Sequence, residues 1–198
     1  MWYSRGDRIL HRKERIIMKK LTTQKLVYMG LFTALVYIFS RFFQIPIVTP
    51  LGQTRFHLGN VFCLLAGLLL GPVNGGLAAG VGSALFDLFD PVYFTSAPVT
   101  FITKFAMAFV SGMIYKNRKE LVDKSKIIVG SILGQITYVV LYLGKTFIKN
   151  KFILGLTLEA TMAEVIQKAG VSLTNAVISI IIASILAIPL LKAVKFDD

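Results

Sequence analysis

The sequence predicts an all-α integral membrane protein, a bundle of six transmembrane helices with both termini in the cytoplasm. Hydrophobic residues make up 55% of the 198 residues and charged residues only 16%, and the mean hydropathy is +0.70. This excess of apolar residues is well beyond what the core of a soluble domain of this length requires. The apolar residues also fall into separate segments close to the length that a helix needs to cross the hydrocarbon of a bilayer.

The first half of the chain is expected to form three helices. The first covers residues 26–43, and residues 44–55 follow as an outside loop that holds two prolines and Gly52. Residues 56–89 are almost uncharged, too long for one crossing and short for two. We divide them at residues 71–76, because glycine and proline together interrupt helices strongly. A re-entrant hairpin is the alternative for this stretch.

The second half of the chain is expected to add three more helices. The fourth begins near Pro98, a residue favoured in the first turn of a helix, and ends at Tyr115. The fifth covers residues 127–144 and the sixth residues 169–191, and both are uncharged. Residues 145–168 between them mix polar and apolar side chains. We predict an outside loop there, with a short helix over residues 158–168.

Basic residues lie between the apolar segments, and their distribution sets the predicted orientation. The net charge is +12, but no polar domain gathers these charges to face the phosphates of a nucleic acid. Residues 1–25 form a basic cytoplasmic segment, residues 26–191 the six-helix domain, and residues 192–198 a cytoplasmic tail. The basic stretch at residues 116–126 also falls inside, as the positive-inside rule requires. Lys145, Lys149 and Lys151 fall outside, against that rule.

Three charged residues stand in or beside apolar segments near the outer side. Asp87 and Asp90 are three residues apart, hence on one face of a helix. Lys104 lies six residues after Pro98, at a depth close to that of Asp87. Charges within a membrane nearly always pair or line a cavity. An ion pair between Asp87 and Lys104 and direct contact with a ligand both remain open, whereas Asp90 is expected in water at the interface.

Further polar and aromatic residues are predicted in the same outer half. Helical spacing places Gln135, Tyr138 and Tyr142 on one face of the fifth helix. Aromatic faces with a few hydrogen-bonding groups are the usual lining of a small-molecule pocket. The candidate ligand-binding residues are therefore Asp87, Tyr93, Thr100, Lys104, Gln135, Tyr138, Tyr142 and Asn175.

The histidines and the cysteine do not indicate a metal site. Only His11, His57 and Cys63 are available, too few and too scattered for a cluster of ligands. We expect His57 to cap a helix or to lie at the interface. No metal and no cofactor are predicted.

Small residues four apart allow helices to approach closely in a membrane. Such sets occur at Gly30/Ala34, Gly76/Gly80/Ala84 and Gly130/Gly134. We expect the last two sets to serve packing inside the bundle, and the first to dock a partner helix.

The stretches RFHLGNVFCLLAGLLLGPVNGGLAAGVGSALFD (residues 55–87) and APVTFITKF (residues 97–105) resemble the substrate-binding subunits, or S-components, of energy-coupling factor (ECF) vitamin transporters. The chain is most similar to the riboflavin-type branch, which includes members assigned to hydroxymethylpyrimidine and pyridoxine-like vitamins. The resemblance implies a non-enzymatic, multi-pass plasma-membrane subunit that binds a vitamin with high affinity from outside.

The resemblance also implies partners and a binding region. Members of the family form a complex with a transmembrane coupling protein and two ATP-binding-cassette ATPases. The whole S-component is thought to topple in the bilayer to release its ligand. Docking in the family uses two alanines four apart in the first helix, where this chain has Gly30 and Ala34. Family pockets are closed by the loop after helix one, here residues 44–55, and lined by helices four to six.

A small membrane enzyme and a channel or secondary carrier are the two rival functions. A small membrane enzyme could use Asp87 and Asp90 for metal-assisted phosphotransfer, but further acids at helical spacing are absent and Pro91 follows at once. A channel or secondary carrier would show an inverted repeat or a row of charges along a pore, and neither is visible.

Overall fold

A computed structural model describes residues 23–49, 52–115 and 122–193, which are mostly helical. The predicted basic segment and the tail therefore lie almost entirely outside the described residues. The elements follow one another as α1 (Thr23–Arg41), β1 (Gln44–Thr49), β2 (Gly52–His57), α2 (Gly59–Leu70), α3 (Pro72–Leu88), α4 (Ala97–Ile114), α5 (Lys124–Ile148) and α6 (Leu158–Ala193).

Within the described residues, three helical stretches are long and apolar enough to cross a membrane. They are Phe94–Ile114, Lys124–Ile153 and Leu158–Ala193. The apolar helix α2 is shorter than a crossing requires. The count of six crossings and the cytoplasmic position of both termini stay predictions.

The break between α2 and α3 lies where the sequence predicts it. Gly71 has φ +80°, a backbone conformation that glycine adopts without steric cost, and Pro72 opens α3. Ten of the twelve residues of α2 are buried, because the helix contacts α1, α3, α4, α5 and α6. This short apolar helix is the centre of the bundle.

The predicted outside loop at residues 44–55 is in large part a β-hairpin, and the prediction of a loop was wrong there. The strands β1 and β2 pair antiparallel, with Gln44 opposite His57 and Pro46 opposite Arg55. Pro46 had favoured a loop because proline cannot donate to a strand ladder. In a two-stranded sheet, however, each strand has an unpaired edge on which a proline is tolerated.

The predicted loop at residues 145–168 is also wrong. The helix α5 continues to Ile148 and extends as a π-helical turn to Ile153, so that only residues 154–157 separate it from α6. Gly155, with φ +65°, makes the reversal. The predicted short helix and the sixth predicted crossing are one continuous helix, Leu158–Ala193.

Glycines of α3 and α5 pack directly against α4. A Cβ added at Gly80 would lie 2.9 Å from the ring of Phe101, and one added at Gly134 would lie 2.8 Å from the carbonyl oxygen of Met107. These approaches confirm that the small-residue sets of α3 and α5 serve packing inside the bundle.

The small residues of α1 are placed differently. Gly30 has no atom of another element within 4 Å of the position that a Cβ would take, and Ala34 is exposed. Leu26 and Leu31 on the same helix are 59% and 50% exposed. The Gly30/Ala34 set therefore lies on an outward, apolar surface of the bundle.

Candidate ligand-binding site

A polar cavity of about 210 Å³ lies at the end of the bundle that carries the β-hairpin. Its walls come from the end of α1, from β2, from the adjoining ends of α3 and α4, and from α5 and α6. A short segment between α3 and α4, which contains Tyr93, adds to the lining. Elements far apart in the sequence thus meet around one space.

Seven of the eight predicted ligand-binding residues line this cavity. They are Asp87, Tyr93, Thr100, Lys104, Tyr138, Tyr142 and Asn175. Gln135 does not belong to the lining and is 1% exposed. It shares the helical face of Tyr138 but lies about 4.5 Å deeper along α5, by the helical rise. Helical spacing alone could not show where the cavity ends.

Arg55 on β2 holds the hairpin to the end of α3. Its guanidinium nitrogens lie 3.4 Å from a carboxylate oxygen of Asp87 and 2.9 Å from one of Asp90. The guanidinium carbon also lies 3.5 Å from the centre of the Tyr93 ring and 4.3 Å from that of Phe86, within the range of cation–π attraction. We call Arg55 with Asp87, Asp90, Tyr93 and Phe86 the Arg55 clamp.

This clamp corrects two predictions about the acidic residues. Asp87 forms its ion pair with Arg55 and not with Lys104. Asp90 does not stand free in water, because its side chain is only 17% exposed and is bound by the same guanidinium. Arg55 was predicted at the end of a loop. As part of β2, it lies beside Asp87 and Asp90, which are 32 and 35 residues further along the chain.

Lys104 has a different environment from the one expected. It is 2% exposed, and its ammonium group donates a hydrogen bond to Oδ1 of Asn60 at the start of α2. The ammonium nitrogen also lies 3.6 Å from the centre of the Tyr138 ring. Lys104 is thus held by an amide oxygen and an aromatic face.

The α5 and α6 side of the cavity contains residues that the sequence analysis did not assign to a site. Lys168 pairs with Glu164 at 2.6 Å, and Asn150 donates a hydrogen bond to the same carboxylate. Lys145 and Lys149 line the cavity beside them. Their predicted position on the outer side, against the positive-inside rule, was the signal that could have identified them.

Two tyrosines give the cavity an aromatic wall. The rings of Tyr138 and Tyr142 are stacked, with centres 5.7 Å apart and an interplanar angle of 20°. The hydroxyl of Tyr142 lies 3.3 Å from that of Thr54 on β2. This contact ties the hairpin to α5, as the contacts of Arg55 tie it to the end of α3.

The part of the chain that the structure describes contains no group of three or more His, Cys, Asp and Glu side chains that could hold a metal ion. His57 lies in the cavity wall, 8% exposed. It therefore contributes to the site, where the sequence analysis had expected only a capping or interfacial role.

Comparison with known proteins assigns the chain to a family. Residues 20–195 match the family described as ECF-type riboflavin transporter, S component. A Pyrococcus woesei protein, described as an uncharacterized protein in a gap 3′ region, is 31% identical over 105 residues, which are 53% of this chain and 66% of that protein. The chain thus aligns with just under two thirds of that relative. A solved structure of the S component of a bacterial ECF transporter is 20% identical with a TM-score of 0.57, over 86% of this chain and 95% of the other; this likeness shows the fold. Because the family match spans nearly the whole chain, the protein belongs to the ECF-type riboflavin transporter S-component family, a family of transporter subunits.

Proposed function

We propose that this protein is the substrate-binding subunit of an ECF-type importer in the plasma membrane, and that it captures a B-type vitamin or vitamin precursor from outside. Hydroxymethylpyrimidine, pyridoxine and riboflavin-like compounds are the candidate ligands. The family membership supports the class of function, and the polar, aromatic cavity supports the position of the ligand.

The observation that carries this proposal is the convergence of seven candidate residues on one cavity. Small-molecule sites combine aromatic surface with a few placed polar groups, and the wall formed by Tyr138, Tyr142, Lys104 and Asp87 has this composition. The β-hairpin borders the same space, where Arg55 binds Asp90 and Thr54 contacts Tyr142 on α5. In the proposed cycle, the hairpin opens to admit the ligand and closes to exclude water and slow its dissociation.

The position of the acids is unfavourable to the rival phosphotransfer enzyme. Magnesium would require carboxylate oxygens free to bind it. Asp87 and Asp90 both pair with the guanidinium of Arg55. They are the acids on which that mechanism depended.

Native mass spectrometry of the purified protein, released gently from detergent, tests the binding function. We expect a copurified small molecule with the mass of a pyridoxine, a pyrimidine or a flavin. An empty protein that also fails to bind each of these compounds when they are added would contradict the proposal.

We propose that the outward surface of α1 around Gly30 and Ala34 docks the coupling protein, which recruits two ABC ATPases. Small residues permit close approach of a partner helix, and this surface is open in the bundle. The large exposed side chains of Leu26 and Leu31 flank it and would supply apolar contact area.

Substituting Ala34→Phe tests this surface. We expect the coupling protein and the ATPases to be lost from the purified complex, because a bulky ring would separate the two helices, while ligand binding is retained. The matched control is Val177→Phe on α6, a position that is 57% exposed and outside the cavity. Normal recovery of the ATPases with the Ala34 variant would remove this surface from the docking site.

A further inference from the structure

Basic side chains outnumber acidic ones along the cavity wall, five to two. The basic residues are Arg55, Lys104, Lys145, Lys149 and Lys168, and the acidic residues are Asp87 and Glu164. A cleft lined by one sign of charge concentrates small molecules of the opposite sign. The wall therefore favours a ligand that brings negative charge.

The acids at the cavity are already bound to protein cations. Asp87 and Asp90 share the guanidinium of Arg55, at 3.4 Å and 2.9 Å, and Glu164 pairs with Lys168 at 2.6 Å. A cationic ligand would have to share a carboxylate with Arg55 or Lys168 and would be repelled by that cation. A protonated pyridinium or aminopyrimidine is thus disfavoured at Asp87.

Three of the five basic residues have no carboxylate partner among the residues that the structure describes. They are Lys104, Lys145 and Lys149. The last two lie on the predicted outer side, where the positive-inside rule disfavours lysine. A requirement for positive charge at the cavity explains why they are there.

Of these three lysines, Lys104 gives the strongest argument for an anionic ligand, because its side chain is buried, with 2% exposed. Its ammonium has three N–H donors; one reaches Asn60 and the face of Tyr138 lies beside the nitrogen. Neither neighbour carries a formal negative charge. A buried cation without a counter-charge is costly, and an anionic ligand would supply that charge.

Two hydroxyl donors in the cavity wall are also without a protein partner. The oxygens of Ser40 and Tyr93 are buried and make no hydrogen bond in the described structure, and the same holds for Nδ1 of His57. All three residues line the cavity. Buried polar atoms are nearly always hydrogen-bonded, so a bound ligand is their natural partner.

The size of the cavity limits the rest of the ligand. Its volume of about 210 Å³ is below the roughly 300–1,000 Å³ that is usual for sites of drug-sized ligands. The stacked rings of Tyr138 and Tyr142 offer an aromatic surface. A single aromatic ring matches this space better than the three fused rings of a flavin.

We propose that the ligand is a single-ring aromatic compound bearing a carboxylate or a phosphate, and that Lys104 holds this anion while Lys145 and Lys149 attract it. The inference rests on the proposed vitamin-binding function and specifies the class of ligand. A carboxylate and a phosphate both offer negatively charged oxygens to the lysines. Binding measurements with compounds of each kind will show which of the two anions the protein prefers.

Isothermal titration of the full-length protein with two matched pairs of probes tests the inference. Nicotinamide and nicotinate differ by a carboxylate, and pyridoxine and pyridoxine 5′-phosphate differ by a phosphate. We expect the anionic member of at least one pair to bind at least tenfold more tightly than its neutral partner. The preference should fall as salt is added, because ions screen the lysines at the cavity.

Substituting Lys145→Gln should bring the two dissociation constants of the preferred pair closer together, because the anionic member loses an attracting charge. The matched control is Lys126→Gln, a lysine on the same helix that is 59% exposed at its side chain and outside the cavity. This control should leave the ratio unchanged.

Equal or tighter binding of the neutral member in both pairs would overturn the inference. Binding of riboflavin or hydroxymethylpyrimidine without binding of either anion would also overturn it, and would leave the vitamin-binding function intact. Failure of all six compounds to bind would overturn both.

Discussion

Replacing Lys104 with methionine separates a ligand-binding role from a structural one. The side chain is 2% exposed, donates to Asn60 and lies 3.6 Å from the centre of the Tyr138 ring. Methionine has a similar length and is apolar, so it can occupy the same space without the charge. The substitution therefore removes the ammonium group with little change in packing.

The two roles predict different effects of the substitution. A ligand-binding role predicts a loss of affinity, and a structural role predicts a loss of stability. A hydrogen bond to a charged group contributes about 1.5–3 kcal/mol, so loss of a ligand contact should weaken binding tenfold or more, which is about 1.4 kcal/mol. In the empty protein, the variant leaves Oδ1 of Asn60 without its donor, at a cost of about 1–3 kcal/mol. It also removes a buried charge that has no carboxylate partner, and these terms oppose each other. We expect the free energy of unfolding to change little.

The assay is isothermal titration with the tightest binder among nicotinate, pyridoxine 5′-phosphate and riboflavin, alongside thermal unfolding in the same detergent. Lys126→Met serves as the control for loss of a lysine outside the cavity. Wild-type affinity in a folded Lys104→Met protein would remove Lys104 from the site. A large fall in Tm with unchanged affinity would make the residue structural.

Two further substitutions test the clamp and the packing. In Asp90→Asn, Arg55 loses its shorter ion pair, 2.9 Å, and we expect faster dissociation of bound ligand by stopped flow; an unchanged dissociation rate would show that the clamp does not hold the hairpin closed. In Gly112→Ala, the new Cβ would lie 2.5 Å from the carbonyl oxygen of Gly67, and overpacking of this kind costs about 1–3 kcal/mol. The control Gly144→Ala meets nothing within 4 Å, so equal Tm values for the two glycine variants would refute the argument.

The predicted helices agree best where an apolar run ends at a local signal. Pro98 and Tyr115 were predicted to bound the fourth helix, and α4 covers Ala97–Ile114. The break at residues 71–76 was also local, because Gly71 and Pro72 oppose continuation of a helix whatever surrounds them. The hairpin was not predicted, because strand pairing joins residues that are not neighbours in sequence. Pro46 also favoured a loop, because proline cannot donate a hydrogen bond to a neighbouring strand.

In the candidate site, too, the predictions agree with the structure where a local repeat decides the arrangement and differ where packing between elements decides it. Helical spacing brought Tyr138 and Tyr142 together correctly, since the α-helical repeat determines which residues share a face. It also placed Gln135 on this face, but Gln135 does not line the cavity, because the repeat does not tell how deep a cavity reaches. It missed Lys145 and Lys149 as cavity residues, because their segment was predicted as a loop and not as the end of α5 and its π-helical turn.

The sequence by itself determined the membrane class, the break at Gly71 and Pro72 and the family resemblance, since composition and helix-breaking residues act locally. Only the tertiary structure decided which charges meet. Arg55 reaches Asp87 and Asp90 across more than thirty residues, and Lys104 is left with the amide of Asn60. Ion pairing depends on distances of a few ångströms between separate elements. Those distances arise from the way the helices and the hairpin pack, and they decide which cations are left without a carboxylate partner among the described residues.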